Sequence, residues 1–282
     1  MAESLLSAVF ALCAATCWGS GDFSGGVATR RMGAFRAVLF SYSVGLVALV
    51  VVALARAEPF PPPIDLAWGA AAGLAGMVGI GSLFRGFAAG RMGIVAPVSA
   101  VLGTAIPVIF NALTRGLPGP LQLAGFAVGL LALWLISRPE HMSGRPAGLG
   151  HAILAGVGFA GFFIGLDQIG KGAVFWPLAA GRVACCAVLI VFALFTRRSL
   201  SLRDAPVRLL LLVGILDVAG NLFFLLATQS GRLDSTVVLS SLYPAVTTIL
   251  AWLILKEHMT RLHVVGVVAA MLAIGLITYS NG

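Results

Sequence analysis

The chain has 282 residues, of which 60% are hydrophobic and 10% charged, with a formal net charge of +8. A water-soluble domain carries about a quarter charged residues, so a chain with a mean hydropathy of +1.04 cannot cover its own surface with polar groups and needs lipid around it. The basic excess does not point to nucleic acid, because Lys and Arg stand singly or in pairs at the ends of apolar runs, as membrane-edge anchors do.

A helix needs about 20 apolar residues to cross the hydrocarbon core. That rule reads ten spans: 5–27, 35–56, 66–89, 93–113, 119–137, 148–168, 174–195, 207–228, 233–255 and 262–279. The first four residues, Met-Ala-Glu-Ser, lack the basic region of a cleaved signal peptide, so none is expected. The joints are short and carry breakers, such as Pro61 to Pro63 after the second span and Gly116, Pro118 and Gly119 after the fourth. The longest polar joint, Arg138 to Pro146, lies at the centre of the chain. It divides a first five-helix unit (1–138) from a second (147–282), with 139–146 as linker. Cys13, Cys17, Cys185 and Cys186 all lie inside apolar runs and read as packing residues rather than as a disulfide framework.

The two units are copies. Residues 90–137 lie on residues 231–278 without a gap at a constant offset of 141: Gly90 and Arg91 fall on Gly231 and Arg232, Ser99 on Ser240, Leu121 on Leu262, Gly125 on Gly266. Five spans is an odd number, so the second copy enters the membrane from the opposite side. The fold class is therefore an all-α membrane protein of ten transmembrane helices in two inverted five-helix repeats, whose binding sites lie near the midplane where the copies meet. Glycines one turn apart, as at Gly21 and Gly25, Gly69 and Gly73, Gly86 and Gly90, Gly125 and Gly129, and Gly161 and Gly165, let helices approach closely in lipid. Joints after odd-numbered spans carry thirteen Lys and Arg residues, from Arg30 and Arg31 to Lys256 and Arg261; joints after even-numbered spans carry four, Arg56, Arg115, Lys171 and Arg232. Positive-inside places the odd joints in the cytoplasm and both termini outside.

Ionisable residues within a span cost about 2.5 to 3.5 kcal/mol on insertion scales and are functional candidates by default. Three stand out: Asp22 in the first span, Arg182 in the seventh and Asp217 in the eighth. Trp18 and Asp22 share a helix face, as do Asp217, Asn221 and Phe224. Two readings follow. In one the charges bind a zwitterion: Arg182 takes a carboxylate through its planar fork, Asp22 or Asp217 takes an ammonium, and Trp18, Phe224 and Tyr243 contact an apolar side chain. In the other Arg182 pairs permanently with an Asp and only fixes helix positions, while Asp22 is solvated by the joint at Arg30 and Arg31. Tyr42 and Trp252 fit either a cavity wall or a headgroup position. Pro107 and Pro244 each remove a hydrogen bond inside a span and are candidate hinges, with a static kink as the alternative; Pro97 does the same. Asp167, four residues from Lys171, is expected to pair with it at a span end. His141, His151, His258 and His263 have no metal-ligand spacing, so no cofactor or metal is expected.

With these features in place, the chain resembles the drug/metabolite transporter superfamily, in particular its ten-helix members of the EamA type. The motifs that carry the resemblance are Trp18-Gly19-Ser20 in the first span, WPLAAGR at 176–182 and PAVTTILAWLILKEHMT at 244–260. The copies depart from each other at their polar positions: the mate of Arg182 is Ser41, that of Glu257 is Gly116, and Pro107 lies one turn beyond Gly103, the mate of Pro244. The resemblance implies a secondary transporter, not an enzyme, in a bacterial inner membrane, exporting small amphipathic metabolites by alternating access. It also implies amino acids as substrates, aromatic ones among them, and termini in the cytoplasm, against the charge count. Two acids against one Arg would also suit cationic drugs, whereas nucleotide sugars would call for more cavity cations. A desolvated Asp22 or Asp217 could exchange a proton with substrate, which makes protons candidate partners. An intramembrane enzyme, the remote alternative, would need a His-Glu-x-x-His helix, a Ser-His pair or two catalytic Asp residues inside spans; no His-Glu-x-x-His run is present, and of the two candidates Asp22 and Asp217 only Asp22 ends a Gly-x-Gly-Asp run, Gly19 to Asp22.

Overall fold

The computed structural model describes residues 2–89, 92–137, 148–197, 205–256 and 260–280; Arg91, the central joint with His141, Arg198, Arg203, Glu257 and His258 lie outside them. Among the described residues every regular element is helical. The first half contributes α1 (Ala2–Met32), α2 (Ala34–Ala55), α3 (Pro63–Ala89), α4 (Met92–Arg115) and α5 (Pro120–Ser137). The second contributes α6 (Leu149–Asp167), α7 (Phe175–Thr196), α8 (Val207–Ser230), α9 (Leu233–Ser240), α10 (Tyr243–Leu255) and α11 (Arg261–Ser280). Among the described residues eight stretches are long and apolar enough to cross a membrane, and α5 and α11 are shorter apolar helices.

The expected ninth span is two helices. Pro244 has no N–H to give, and the chain turns at Ser241 and Leu242 between α9 and α10. Its counterpart α4 runs unbroken through Pro107. Elsewhere the breakers act as read. Pro63 and Pro120 occupy the first positions of α3 and α5, where a missing N–H costs nothing. Gly116 follows α4 with φ of 87°, a left-handed turn that a side chain would strain.

The repeat is visible in the helix starts: Ala34 and Phe175, Met92 and Leu233, and Pro120 and Arg261 are each 141 residues apart. Its inversion is visible in how mates pack. A Cβ on Gly125 would meet Ile277 and Leu276, and one on Gly266 would meet Ile136 and Leu135, which are the same contacts carried through the offset. The early residue of each helix touches the late residues of the other, so α5 and α11 run antiparallel. A repeat whose mates are antiparallel is an inverted repeat. The pairing α1 with α8 recurs as α6 with α3, and α2 crosses its own mate α7. The halves are thus interlocked rather than set side by side.

Close backbone approach holds these pairs together. Gly69 of α3 faces the backbone of Pro177, Gly73 faces Gly181, and Gly158 of α6 faces the backbone of Gly79 and Ala75. In lipid such contact replaces hydrophobic exclusion as the source of attraction. Large apolar residues point outward instead: Leu54, Leu113, Phe195 and Leu272 are all exposed, as a lipid-facing surface requires.

The ends of the even joints are bound to one another by polar contacts. The Glu58 carboxylate accepts hydrogen bonds from the backbone N–H groups of Val174 (2.6 Å), Phe175 (3.0 Å) and Trp176 (3.1 Å) at the start of α7. These are orphan donors of a helix N-terminus, where an anion is favourable. Asp65 accepts from Gly170 N–H at 2.9 Å, and the Gln229 amide donates to the carbonyls of Gly170 and Ala173. Arg232 donates to Asp234 and to the Gly116 carbonyl. Asp167 does not pair with Lys171; Arg115 reaches it at 2.8 Å from α4, while Lys171 is exposed. A charge already buried to 2% exposure takes the nearest guanidinium on a packed neighbour in preference to a solvated lysine.

The Gly158 contact gives a direct test. Leu at this position has only backbone to push against, so Gly158→Leu is expected to destabilise the bundle by about 3 kcal/mol or more. A Cβ at Gly275 meets nothing within 4 Å, so Gly275→Ala should be neutral. Thermal unfolding of the detergent-solubilised protein, followed by size exclusion, measures both; equal melting temperatures would contradict the α3–α6 packing.

Candidate functional site

A cavity of about 580 Å³ lies between the halves, lined from α1, α2, α3, α4, α5, α6, α7, α8 and the break before α10. It narrows toward the even joints, where Leu166 (1% exposed) and Leu178 (6%) belong to a packed cluster with Leu225, Leu233 and Val237. Toward the odd joints its walls loosen: Gly25, Val38, Leu83 and Val213 are half-buried, and Asp22 is exposed. The cavity is therefore closed at the end bound by Glu58 and Arg115 and open at the other.

One wall is aromatic. The Trp18 ring on α1 sits 5.6 Å from Phe224, 5.9 Å from Phe163 and 6.1 Å from Phe162, and meets Tyr243 edge-on at 6.4 Å. Its Nε1–H donates to Asn221 Oδ1 at 3.1 Å, which fixes the ring. Gly220 makes room for it, since a Cβ there would run into the indole; the mate Gly79 does the same for Phe159, the mate of Trp18. Gly19, next to Trp18, lies against the Tyr243 carbonyl and Val246, and the Thr247 hydroxyl donates to the Gly19 carbonyl. The Trp-Gly motif thus serves close packing of α1 on α10. The WPLAAGR motif serves α3 in the same way through Pro177 and Gly181 before ending on Arg182.

The charged wall adjoins it, since Asp217 lies four residues before Asn221 on α8. Arg182, buried on α7, donates to the Asp217 carboxylate on α8. Its guanidinium carbon stands 4.2 Å over the centre of the Tyr42 ring, so the planar group is clamped between an anion and a π-face. The pair is buried unequally, at 9% exposure for the Arg182 side chain and 28% for that of Asp217. Asp22 has no ion-pair partner among the described residues, although the side chains of Arg30 and Arg31 lie outside them.

Six of the predicted binding residues, Trp18, Asp22, Arg182, Asp217, Asn221 and Tyr243, line this one cavity. Phe224 does not; it is fully buried behind Trp18 and supports the ring. The candidate hinges Pro107 and Pro244 stand outside the lining, though Pro244 lies at the helix break whose Ser241 and Tyr243 do line it. Tyr42 resolves as a cavity residue, and Trp252, at 51% exposure, lies on the outside of the bundle. Sequence reading missed Phe159, Phe162 and Phe163. The repeat offset already pointed to two of them, since Phe159 is the mate of Trp18 and Phe163 the mate of Asp22. No group of three metal-ligating side chains occurs among the described residues.

The model of the EamA-like transporter family matches the chain twice, over residues 5–138 and 146–279, one match for each half. An uncharacterized protein of Methanocaldococcus jannaschii is 29% identical over 102 residues, which cover 36% of this chain and 71% of that protein. A protein solved by crystallography superposes with a TM-score of 0.81 at 15% identity, over 96% of this chain and 98% of its own. That last likeness speaks for the fold alone.

The charged wall yields a stability prediction. Arg182→Met strands the Asp217 carboxylate, and removing one partner of a buried pair costs about 3 kcal/mol or more. Adding Asp217→Asn should recover most of that loss. A double-mutant cycle on thermal unfolding in detergent reads the coupling, and additive losses would mean that the two groups do not support each other.

Proposed function

Since the chain belongs to the EamA-like transporter family, whose members are multi-pass membrane transporters of small molecules, we propose that it exports small amphipathic metabolites by alternating access. Amino acids with aromatic side chains fall within this class, as the family resemblance implies. The observation that carries the reading is the cavity in which the Asp22 carboxylate, without an ion-pair partner among the described residues, stands one helical turn from the aromatic wall of Trp18, Phe162 and Tyr243. An ammonium group and an apolar body are the two features such a wall can recognise together. The charge bias of the joints supports export: with the odd joints in the cytoplasm, the cavity opens to the cytoplasm and is shut toward the outside, the state in which an exporter loads.

Alternating access requires a second state with the opposite ends open and closed. An inverted repeat supplies it, because each half can adopt the packing that the other holds here. The polar contacts of Glu58, Asp65 and Arg115 would then have to release while the odd ends close over Asp22. The break at Ser241–Leu242 is the natural place for α10 to move independently of α9.

A second reading, export of drug-like cations, is favoured by one observation: the described lining residues carry two carboxylates and one guanidinium, and the guanidinium is already engaged. Nucleotide sugars fit poorly for the same reason.

Transport from liposomes tests the function. Purified protein reconstituted with labelled aromatic amines and amino acids inside should release them faster than protein-free vesicles loaded with the same compounds do. Asp22→Asn is expected to lower this flux at least tenfold, and Ala100→Trp, which fills the cavity without touching a charge, should do the same. Undiminished flux in both variants would remove the cavity from the transport path. An imposed pH gradient in the same vesicles separates proton exchange from facilitated passage.

A further inference from the structure

Resting on the transport reading above, the geometry points to a narrower substrate class: we propose that the cavity selects arylalkyl amines that lack a carboxylate over the corresponding amino acids. Three observations carry this. First, Arg182 is not available. Its guanidinium donates to Asp217 and lies over Tyr42, so a substrate carboxylate could reach it only by displacing Asp217. Displacement would leave Asp217 as an uncompensated charge at a partly buried position.

Second, the anion that remains free is Asp22, exposed to the cavity and without an ion-pair partner among the described residues. Asp217 is neutralised by Arg182, so the charge left over on the described lining is that of Asp22. A carboxylate entering there meets the like charge of Asp22, and an ammonium meets attraction. Discrimination by a repulsive element of this kind is what separates near-identical ligands.

Third, the spacing fits. Trp18 and Asp22 are four residues apart on α1, and one helical turn rises about 5.4 Å. An arylethylamine separates its ring from its ammonium by two methylene carbons, a separation of comparable scale. With the ring against Trp18, Phe162 and Tyr243, the ammonium comes to Asp22 without any rearrangement of the Arg182–Asp217 pair. Of the other polar lining, Asn221 Oδ1 already accepts from Trp18, and the Thr104 hydroxyl already donates to the Ala100 carbonyl.

The test uses three compounds that share one ring: tyramine, tyrosine methyl ester and tyrosine. The wild-type protein in liposomes should transport tyramine and the methyl ester with kcat/KM at least tenfold above that for tyrosine. Asp217→Asn frees Arg182 for a carboxylate and should bring the ratio to within about threefold, mostly by raising tyrosine transport. Tyrosine transported as well as or better than tyramine by the wild type would overturn the selectivity while leaving the transport function intact. No flux of any of the three, with the protein folded and correctly inserted, would overturn both.

Discussion

A guanidinium cannot be left alone inside a membrane bundle, and the arrangement of this protein follows from where Arg182 finds its anion. Asp217 supplies it from the neighbouring helix, and Tyr42 covers the guanidinium face. Three helices, α2, α7 and α8, are thereby held at fixed spacing around the charge. The pair also engages Arg182 and leaves Asp22 as the lining carboxylate without an ion-pair partner among the described residues. The asymmetry arose on a symmetric frame: the mate of Arg182 is Ser41, that of Asp217 is Gly76, and that of Asp22 is Phe163.

The same frame explains why the cavity has one open end. Polar ties among the described residues concentrate at the even joints, where Glu58 accepts three consecutive N–H groups of α7 and Arg115 reaches Asp167. The repeat mates of Val174, Phe175 and Trp176 are Gly33, Ala34 and Phe35 at the start of α2, on the open side. The position equivalent to Glu58 is Ser199. Its short, neutral hydroxyl has neither the charge nor the two carboxylate oxygens with which Glu58 takes those three donors. The end with the acidic cap is the one found shut.

Much of this was legible in the residues alone. Helix positions followed from apolar run length, and the inversion followed from five being odd; the antiparallel packing of α5 on α11 is its physical expression. The gathering of Trp18, Asp22, Arg182, Asp217, Asn221 and Tyr243 in one cavity was legible as well, because intramembrane charge and the residues one turn from it have few other places to go. The break of the ninth span was read only as a kink, since Pro244 announces a lost hydrogen bond but not how far the chain departs from helix. The partner of Asp167 was misread because sequence proximity favoured Lys171, whereas Arg115 is brought close only by the packing of α4 on α6.

By itself, then, the sequence determined a lipid-embedded, duplicated and inverted helical bundle with charge at its centre, because composition, run length and parity of spans are local or countable properties. Which charges neutralise one another was decided by tertiary structure alone. Arg182 had two acids to choose from, and the choice of Asp217 over Asp22 depends on how α7, α8 and α1 are rotated about their axes. That rotation is set by glycine contacts such as Gly73 on Gly181 and Gly21 on Leu216, between residues more than a hundred positions apart in the chain.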